Sequence, residues 1–196
     1  MILQDKLKGI QIVLGSKSPR RKELLRSMDI DFTVEVKETD ESFDESLEPA
    51  SAVKHIAVNK LNAFHEAEFK DKLIICADTI VVDHLGRVIG KPKDENEAAV
   101  VISQLSGREH KVYTAVAFSY KGRRVSLVEE TTVCFNELSD EEIAYYVEKY
   151  KPLDKAGSYG IQEWIGRIAI QRIEGSYENV IGLPTARLQK ELKNMI

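Results

Sequence analysis

The chain has few of the residues that mark secreted, zinc-binding or membrane proteins. It contains two cysteines, Cys76 and Cys134, both within apolar runs and neither in a CxxC motif. We interpret them as buried free thiols in a reducing compartment, which argues against a disulfide framework or a zinc site. No apolar run reaches the roughly 18 residues of a membrane span, and the N-terminus lacks the apolar core of a secretory signal. We therefore expect a soluble cytoplasmic protein without a membrane partner.

A strong excess of one charge is also missing. The 28 Lys and Arg residues are slightly outnumbered by 32 Asp and Glu, for a net charge of -4. Proteins that coat nucleic acid through bulk charge are basic, so we expect no nucleic-acid partner, although a local basic pocket remains compatible with this composition. The 196 residues, 43% of them hydrophobic, suffice for one domain or for two small lobes that share a core.

The sequence alternates between strand-like and helix-like segments. The predicted strands are Ile10–Leu14, Phe32–Val36, Leu73–Val82, Arg87–Gly90, Val112–Tyr120, Arg123–Phe135 and Arg167–Arg172. The predicted helices are Pro19–Met28, Pro49–Phe69, Asp94–Leu105, Asp140–Tyr150 and Pro184–Asn194, with Ser18 and Asp140 as N-caps. Hairpin turns are expected at Asp83–Gly86 and Lys121-Gly122. Helices between strands, followed by long hairpins, predict a mixed α/β domain with a partly antiparallel sheet.

Positive charge clusters at the start of the first long predicted helix, in Ser16-Lys17-Ser18-Pro19-Arg20-Arg21. A helix N-terminus carries about half a positive charge and four unpaired N–H groups, so arginines there are unfavourable unless an anion binds. A phosphate chain would reverse that effect. The alternative is two solvated arginines that pair with nearby acids. Consecutive helical residues differ by about 100° in direction, so we expect Arg20 and Arg21 to differ in role.

Lys60 falls on the apolar stripe of the predicted helix from Pro49, four residues from both Ile56 and Phe64. A lysine that points inward needs an anionic partner or a route for its ammonium group to reach solvent. Either outcome is compatible with the sequence.

Asp78 interrupts the otherwise apolar strand Leu73–Val82. A carboxylate in such a strand is disfavoured unless it is paired, hydrogen-bonded or metal-bound, and buried ionisable groups are functional candidates for that reason. The alternative is an aspartate that faces solvent. Gly90-Lys91-Pro92 follows one hairpin later, and a closely paired hairpin would return Lys91 to the neighbourhood of Asp78.

The segment Glu38–Glu45 holds five carboxylates in eight residues. Hard cations such as magnesium prefer carboxylate ligands, although most acidic loops are simply solvated. A nucleoside triphosphate site needs both kinds of group, because cations hold the phosphates while carboxylates hold a metal and activate water.

Two glycine-rich segments, Ala156–Gln162 and Glu174–Pro184, are either plain turns or places where the backbone approaches a ligand. The amide of Gln162 offers an acceptor and donors, which suits the edge of a base. Neither segment is a P-loop or a dinucleotide fingerprint, and the chain contains no HExxH or GxSxG motif.

Taken in order, five motifs resemble the Maf family of nucleoside triphosphate pyrophosphatases. They are Ser18-Pro19-Arg20-Arg21, Ala77-Asp78-Thr79, Gly90-Lys91-Pro92, Gly160-Ile161-Gln162, and Gly175-Ser176-Tyr177 through Val180-Ile181-Gly182-Leu183-Pro184. The resemblance runs from about Ile12 to Leu192. It implies an inosine-triphosphatase-like α/β fold in which residues 1–196 form one elongated domain, with two lobes around a deep central cleft. It also suggests a homodimer.

The resemblance implies hydrolysis of a nucleoside triphosphate to the monophosphate and pyrophosphate, aided by a divalent cation, Mg or Mn. The Ser-Pro-Arg-Arg, Ala-Asp-Thr and Gly-Ile-Gln forms are similar to those of the branch that acts on dTTP and UTP. The branch that acts on 7-methyl-GTP carries an aromatic residue after Ser-Pro and has Ser-Asp-Gln in place of Ala-Asp-Thr. The alternatives are the same scaffold with another base preference, such as 7-methyl-GTP or inosine triphosphate, and a non-catalytic nucleotide-binding regulator of cell division.

By the same resemblance, Asp78 is the proton acceptor that activates water, and Glu41 is a metal ligand or a second catalytic carboxylate. Asp78 and Glu41 are also the implied metal ligands. The implied substrate-binding residues are Arg20, Thr79 and Gln162 for the base and Lys60 and Lys91 for the phosphates. Ser16 and Arg21 complete the set, and Arg21 either holds phosphate or only supports the loop.

The sequence departs from the family pattern at three places. Gly15 stands where alanine is commoner, Glu163 stands where glycine is usual, and Trp164-Ile165-Gly166-Arg167 is unusual after it. These changes affect the expected loop shape and fine base preference rather than the reaction class.

Overall fold

A computed structural model describes residues 1–44 and 46–196, so Glu45 of the acidic segment lies outside the described residues. The helices are α1 (Leu3–Leu7), α2 (Pro19–Ser27), α3 (Pro49–Asn62), α4 (Glu95–Leu105), α5 (Asp140–Tyr150), α6 (Trp164–Ile168), α7 (Tyr177–Ile181) and α8 (Thr185–Met195). The strands are β1 (Ile12–Leu14), β2 (Thr33–Val34), β3 (Leu73–Val82), β4 (Val88–Ile89), β5 (Glu109–Tyr120), β6 (Arg123–Phe135) and β7 (Ile170–Glu174). Short 3-10 turns cover Ala67–Phe69 and Ala156–Ser158.

The strands form a mixed sheet in the order β2-β1-β3-β5-β6-β7, with β4 paired to β3. Strand β1 is parallel to both of its neighbours, β2 and β3. The β3–β4 and β6–β7 pairs are antiparallel, with Val81 opposite Ile89 in the first. A sheet of this kind with helices between its strands confirms the predicted mixed α/β class.

The chain divides into two compact units. Unit 1 comprises Met1–Asp78, Thr114–Glu129 and Gly182–Ile196, and unit 2 comprises Thr79–Tyr113 and Glu130–Ile181. Each unit has a buried apolar core. The core of unit 1 includes Leu14, Leu25, Val53, Ile75, Leu188 and Leu192, and that of unit 2 includes Ile102, Leu105, Phe135, Tyr146 and Ile165. In the part of the chain that the structure describes, no helix is both long and apolar enough to cross a membrane.

The helix predicted for Pro49–Phe69 ends at Asn62, so the prediction was wrong for residues 63–69. Two aromatic rings give the physical reason. Phe64 and Phe69 pack edge to face with their centroids 5.1 Å apart. In one continuous helix, residues five apart would point about 140° away from each other. The break after Asn62 allows this contact and buries Phe69.

The strand predicted for Arg167–Arg172 was also wrong in its first half, because Trp164–Ile168 is helical and β7 begins at Ile170. Ile165 and Ala169 are both buried, and their spacing of four matches one face of a helix. The short helices α1 and α7 were not predicted. Helix α8 begins at Thr185, with Pro184 in the cap position rather than in the first turn.

The N-cap prediction is confirmed at one helix and wrong by one residue at another. Ser18 caps α2, because its side chain accepts a hydrogen bond from the backbone N–H of Arg21. For α5 the cap is Ser139 rather than Asp140. Ser139 accepts from the backbone of Glu142, and the Glu142 side chain accepts from the backbone of Ser139. This reciprocal arrangement is a capping box, which satisfies two N–H groups at once.

The two cysteines are free thiols, as predicted, but only one of them is buried. Cys76 is fully buried in β3. Cys134 is half-buried, because side chains alternate between the two faces of β6 and its neighbours Val133 and Phe135 take the buried face.

Cys76 accounts for the unusual glycine at position 15. A Cβ atom on Gly15 would lie 2.5 Å from Cys76 Sγ and 3.0 Å from Phe64 Cε2. Such distances are far below van der Waals contact, so alanine does not fit here while cysteine fills position 76. Residues 15 and 76 therefore form a size-matched pair.

Gly15→Ala should lower the free energy of unfolding by about 1–3 kcal/mol, the usual cost of overpacking. Because Cys76→Ala removes the clashing sulfur, we expect the double variant Gly15→Ala/Cys76→Ala to recover most of that loss. Urea denaturation of the four proteins of this cycle measures the coupling. Gly90→Ala is the matched control, since a Cβ there would meet nothing within 4 Å. Additive effects of the two substitutions would contradict the size-matched pair.

His110 is a buried histidine in the core of unit 2. Its ring packs edge to face on Phe135 and Tyr159, and its Nε2 lies 2.8 Å from the Tyr159 hydroxyl. Burial lowers the pKa of His110 to about 4. An unfolded histidine has a pKa of about 6.5, so between these values the unfolded chain binds a proton that the native protein excludes.

Because of His110, the free energy of unfolding should fall by about 3 kcal/mol as the pH is lowered from 6.5 to 4, and should not change above 6.5. Because other groups also titrate in this range, the test compares the pH dependence of the free energy of unfolding between two histidine variants. His110→Gln should flatten the pH profile of unfolding, whereas His84→Gln, at an exposed histidine, should leave it unchanged. Equal profiles for both variants would refute the assignment to His110.

Candidate functional site

The central feature of unit 1 is a lysine held between two carboxylates. Lys60 Nζ lies 2.6 Å from Asp78 Oδ1 and 2.8 Å from Glu41 Oε1. The side chains of Lys60 and Asp78 are each 15% exposed, and that of Glu41 is 53% exposed. Of the two alternatives for Lys60, the structure shows the anionic partners, and Asp78 is paired rather than solvated.

The fold brings these groups together from three separate segments. Lys60 lies in the last turn of α3, and Asp78 lies three residues beyond Ile75 in β3. Ile75 pairs with Leu14 of the parallel strand β1, whose chain continues into Gly15 and Ser16. The carboxyl ends of adjacent parallel strands lie at one edge of a sheet, and such edges are where open α/β sheets bind ligands. Glu41 comes from the acidic segment between β2 and α3.

Arg21 is tied to the backbone around this edge. Its Nε donates to the Gly182 carbonyl at 2.8 Å, and its Nη1 donates to Ser16 Oγ at 3.3 Å. Burial lowers the pKa of Arg21, while the charge of Asp78 acts in the opposite direction. Two of the predicted substrate-binding residues, Ser16 and Arg21, thus contact each other. Arg20, the next residue back on α2, is half-buried.

The second glycine-rich segment is held in place by side-chain hydrogen bonds. Asn179 Nδ2 donates to the Val112 carbonyl at 3.0 Å and to Thr131 Oγ1 at 2.9 Å. The Ser176 backbone N–H also donates to Thr131 Oγ1, at 3.1 Å. These bonds fix α7 on the strands of unit 2. At the end of the segment, Gly182 supplies the carbonyl that binds Arg21.

Unit 2 holds the other three predicted residues, Thr79, Lys91 and Gln162, on segments that contact one another. Strand β4 runs antiparallel to β3, with Ile89 opposite Val81, so the chain after Ile89 runs back toward the start of β3. Lys91 therefore follows in the direction of Thr79. The Gly157 N–H donates to the Gly90 carbonyl at 3.3 Å. Gln162 lies five residues after Gly157 and is half-buried, whereas Lys91 is exposed. Whether Lys91 also approaches Asp78 stays a prediction.

Asp78 and Glu41 are two described carboxylates whose chemistry suits a divalent cation. Their oxygens contact the same Lys60 nitrogen, so they lie within about 5.4 Å of each other. Among residues 1–44 and 46–196 there is no group of three or more Cys, His, Asp or Glu side chains that could hold a metal. Magnesium is commonly held by one or two carboxylates together with substrate phosphates and water, so this pair is chemically suitable.

Comparison with known proteins identifies the fold and the family of the chain. The structure matches that of the Staphylococcus aureus Ham1 protein over 95% of this chain and 100% of that one, with a TM-score of 0.50 and 15% sequence identity. This match shows a shared fold. The fold is thus the inosine-triphosphatase-like α/β fold that the motifs implied. A family model described as Maf-like protein matches residues 11–195. The chain belongs to the Maf-like family.

Curated relatives agree with this assignment. The chain is 47% identical over 191 residues to a dTTP/UTP pyrophosphatase of Parabacteroides distasonis, covering 97% of this chain and 98% of the relative. It is 48% identical over 193 residues to a dTTP/UTP pyrophosphatase of Porphyromonas gingivalis, covering 97% and 96%.

Proposed function

We propose that this protein hydrolyses dTTP and UTP to the nucleoside monophosphate and pyrophosphate. The observation that carries the proposal is the Asp78–Lys60–Glu41 cluster, which joins a poised carboxylate to a fixed cation. Support comes from the relatives with this activity, which match nearly the whole chain. Modified pyrimidine nucleotides are included among the proposed substrates.

Asp78 is the proposed proton acceptor. Lys60 contacts its Oδ1, which leaves Oδ2 to accept a proton from water. The water oxygen forms a bond to the α-phosphorus while the bond from that phosphorus to the α,β-bridging oxygen breaks. Pyrophosphate leaves with the bonding electrons, and the monophosphate keeps the water oxygen.

The triphosphate is strongly anionic, so its binding requires fixed positive charge. We assign this role to Lys60 in unit 1 and to Lys91 in unit 2. Ser16 and Arg21 are the remaining proposed substrate-binding residues, and Arg21 either holds phosphate or supports the loop before α2 through its bonds to Ser16 and to the Gly182 carbonyl. Charge builds on the phosphoryl oxygens during attack, and fixed cations stabilise it more than they stabilise the ground state.

We assign base selection to Arg20, Thr79 and Gln162. Gln162 presents an amide whose donor and acceptor can pair with the edge of a pyrimidine. Glu41 and Asp78 would hold a divalent cation, Mg²⁺ or Mn²⁺, which when bound supplies charge neutralisation and Lewis-acid polarisation of the phosphates. Glu41 alternatively serves as a second catalytic carboxylate.

We further propose that residues 1–196 form one family domain, that the protein acts in the cytoplasm, where nucleotide pools reside, and that it forms a homodimer. The family model spans residues 11–195, which supports the first of these. Light scattering of the purified protein tests the homodimer.

The deciding assay measures pyrophosphate release from UTP, dTTP, CTP, GTP, 7-methyl-GTP and inosine triphosphate, each with and without Mg²⁺ or Mn²⁺. We expect turnover of UTP and dTTP to exceed that of the purine nucleotides. A preference for 7-methyl-GTP or inosine triphosphate would instead show the same scaffold with another specificity. Nucleotide binding without turnover under any condition would overturn the proposed activity and indicate a sensor.

A further inference from the structure

The residue after Gln162 is part of a buried polar network in unit 2. The Tyr146 hydroxyl donates a short hydrogen bond to Glu163 Oε2. Lys155 Nζ lies 3.1 Å from Glu163 Oε1 and 2.7 Å from Asp154 Oδ1. Both oxygens of the Glu163 carboxylate are therefore occupied, one by a phenol from α5 and the other by an ammonium group.

The same network holds the backbone on the other side of Gln162. The Gly160 N–H donates to the Tyr146 hydroxyl at 3.0 Å, and the Glu163 N–H donates to the Gly160 carbonyl at 3.0 Å. A Cβ atom on Gly160 would lie 2.7 Å from Glu163 Cδ and 3.0 Å from Lys155 Cε. The residues two before and one after Gln162 are thus locked against each other and against Tyr146.

Two of the three side chains that contact one another in this network are buried. Tyr146 is fully buried, the Lys155 side chain is 9% exposed and that of Glu163 is 26% exposed. Burial, together with the neighbouring Glu163 carboxylate, raises the pKa of Tyr146, so its hydroxyl remains protonated and available as a donor. A buried network in which every member is satisfied favours one conformation of the chain around it.

We propose that Glu163, together with Tyr146 and Lys155, is a positioning residue that holds Gln162 in the orientation required for base selection. The inference rests on the proposed function, because it needs Gln162 to contact the base. It gives the glutamate, which replaces the usual glycine of the family motif, a role in this chain. Selectivity through a side-chain amide depends on its placement, and a misplacement of about 1 Å can cost about 10²-fold in rate.

The first experiment measures the ratio of kcat/KM for UTP to that for GTP in four proteins: the wild type, Glu163→Gln, Gln162→Ala and the double variant. Glu163→Gln keeps the volume of the side chain but removes the charge that binds Lys155. We expect it to lower the ratio about tenfold, mainly by raising KM for UTP rather than by lowering kcat. The double variant should be no less selective than Gln162→Ala alone, since both substitutions affect one contact. Glu141→Gln, at an exposed glutamate of α5, is the matched control and should leave the ratio unchanged.

The second measurement does not depend on activity. Hydrogen–deuterium exchange of peptides covering residues 158–166 should be faster in Glu163→Gln and in Tyr146→Phe than in the wild type. Tyr146→Phe also serves as the alternative variant if Glu163→Gln folds poorly. Unchanged exchange in both variants would overturn the inference.

The selectivity outcomes separate this inference from the proposed function. If Gln162→Ala lowers the ratio but Glu163→Gln and Tyr146→Phe do not, the positioning role is wrong and base selection by Gln162 stands. An equal loss of kcat for UTP and GTP in Glu163→Gln, with an unchanged ratio, would also overturn positioning. If Gln162→Ala itself leaves the ratio unchanged, both assignments fail, whereas the proposed hydrolysis is judged by the turnover of the wild-type protein.

Discussion

Asp78→Asn should lower kcat for UTP and dTTP by about 10³-fold, the usual range for loss of a general base. Asparagine has nearly the same shape as aspartate but cannot accept the proton of the attacking water. The ammonium group of Lys60 would keep its contact with Glu41, so the local charge stays compensated. We therefore expect the variant to bind nucleotide and to unfold at nearly the wild-type temperature. Pyrophosphate release, isothermal titration with a nucleotide and thermal unfolding measure the three quantities.

Asp83→Asn is the matched control for this prediction. Asp83 follows the end of β3 and is buried, where it binds the Arg87 side chain and accepts from the backbone N–H groups of Leu85 and Arg87. Burial alone would raise the pKa of Asp83, but these hydrogen bonds outweigh it and lower the pKa. Its substitution should cost stability while leaving kcat of the folded protein unchanged. Near-normal turnover by Asp78→Asn would rule out the proposed base.

The sequence could identify Asp78 and Lys60 as special because each places a charge among apolar residues. That signal is local, and it needs only the period of a strand or helix. The partnership between them is not local, since 18 residues separate the two in the chain. For each residue the sequence left a solvent-exposed alternative open, and only the fold shows that the two charges pair with each other.

The support of the site was still harder to predict. Arg21 binds the carbonyl of Gly182, which is 161 residues away, and no pattern in the chain connects them. Glu163 was recognised as a departure from the family pattern, yet its proposed role depends on contacts with Tyr146 and Lys155. Neither of these two residues stands out in the sequence.

The fold prediction was most accurate for two long strands. The bounds of β3 and β6, with 10 and 13 residues, were predicted correctly, because a long apolar or alternating run is a strong signal. Helices α6 and α7 have five residues each. A helix of so few residues is not stable by its own propensity, so tertiary packing determines whether it forms.

Lys60→Met should lower kcat/KM for UTP by about 10²–10³-fold, because a fixed cation that stabilises charge on the reacting phosphate is lost. Methionine keeps most of the apolar stem of the lysine. The substitution also leaves the half-buried carboxylate of Asp78 without its ammonium partner, at a cost of about 1–3 kcal/mol in the free energy of unfolding. Steady-state kinetics and urea denaturation measure the two effects.

Two further variants separate the role of Lys60 in stability from its role in catalysis. In Lys60→Met/Asp78→Asn a neutral amide replaces the carboxylate, so most of the lost stability should return. Turnover should stay absent. Lys54→Met, at an exposed lysine of the same helix, should change neither quantity. If Lys60 only compensated Asp78, then Lys60→Met would destabilise the protein with little change in KM or kcat of the folded enzyme. A loss of activity that exceeds the loss of folded protein would instead require the ammonium group to act on the substrate.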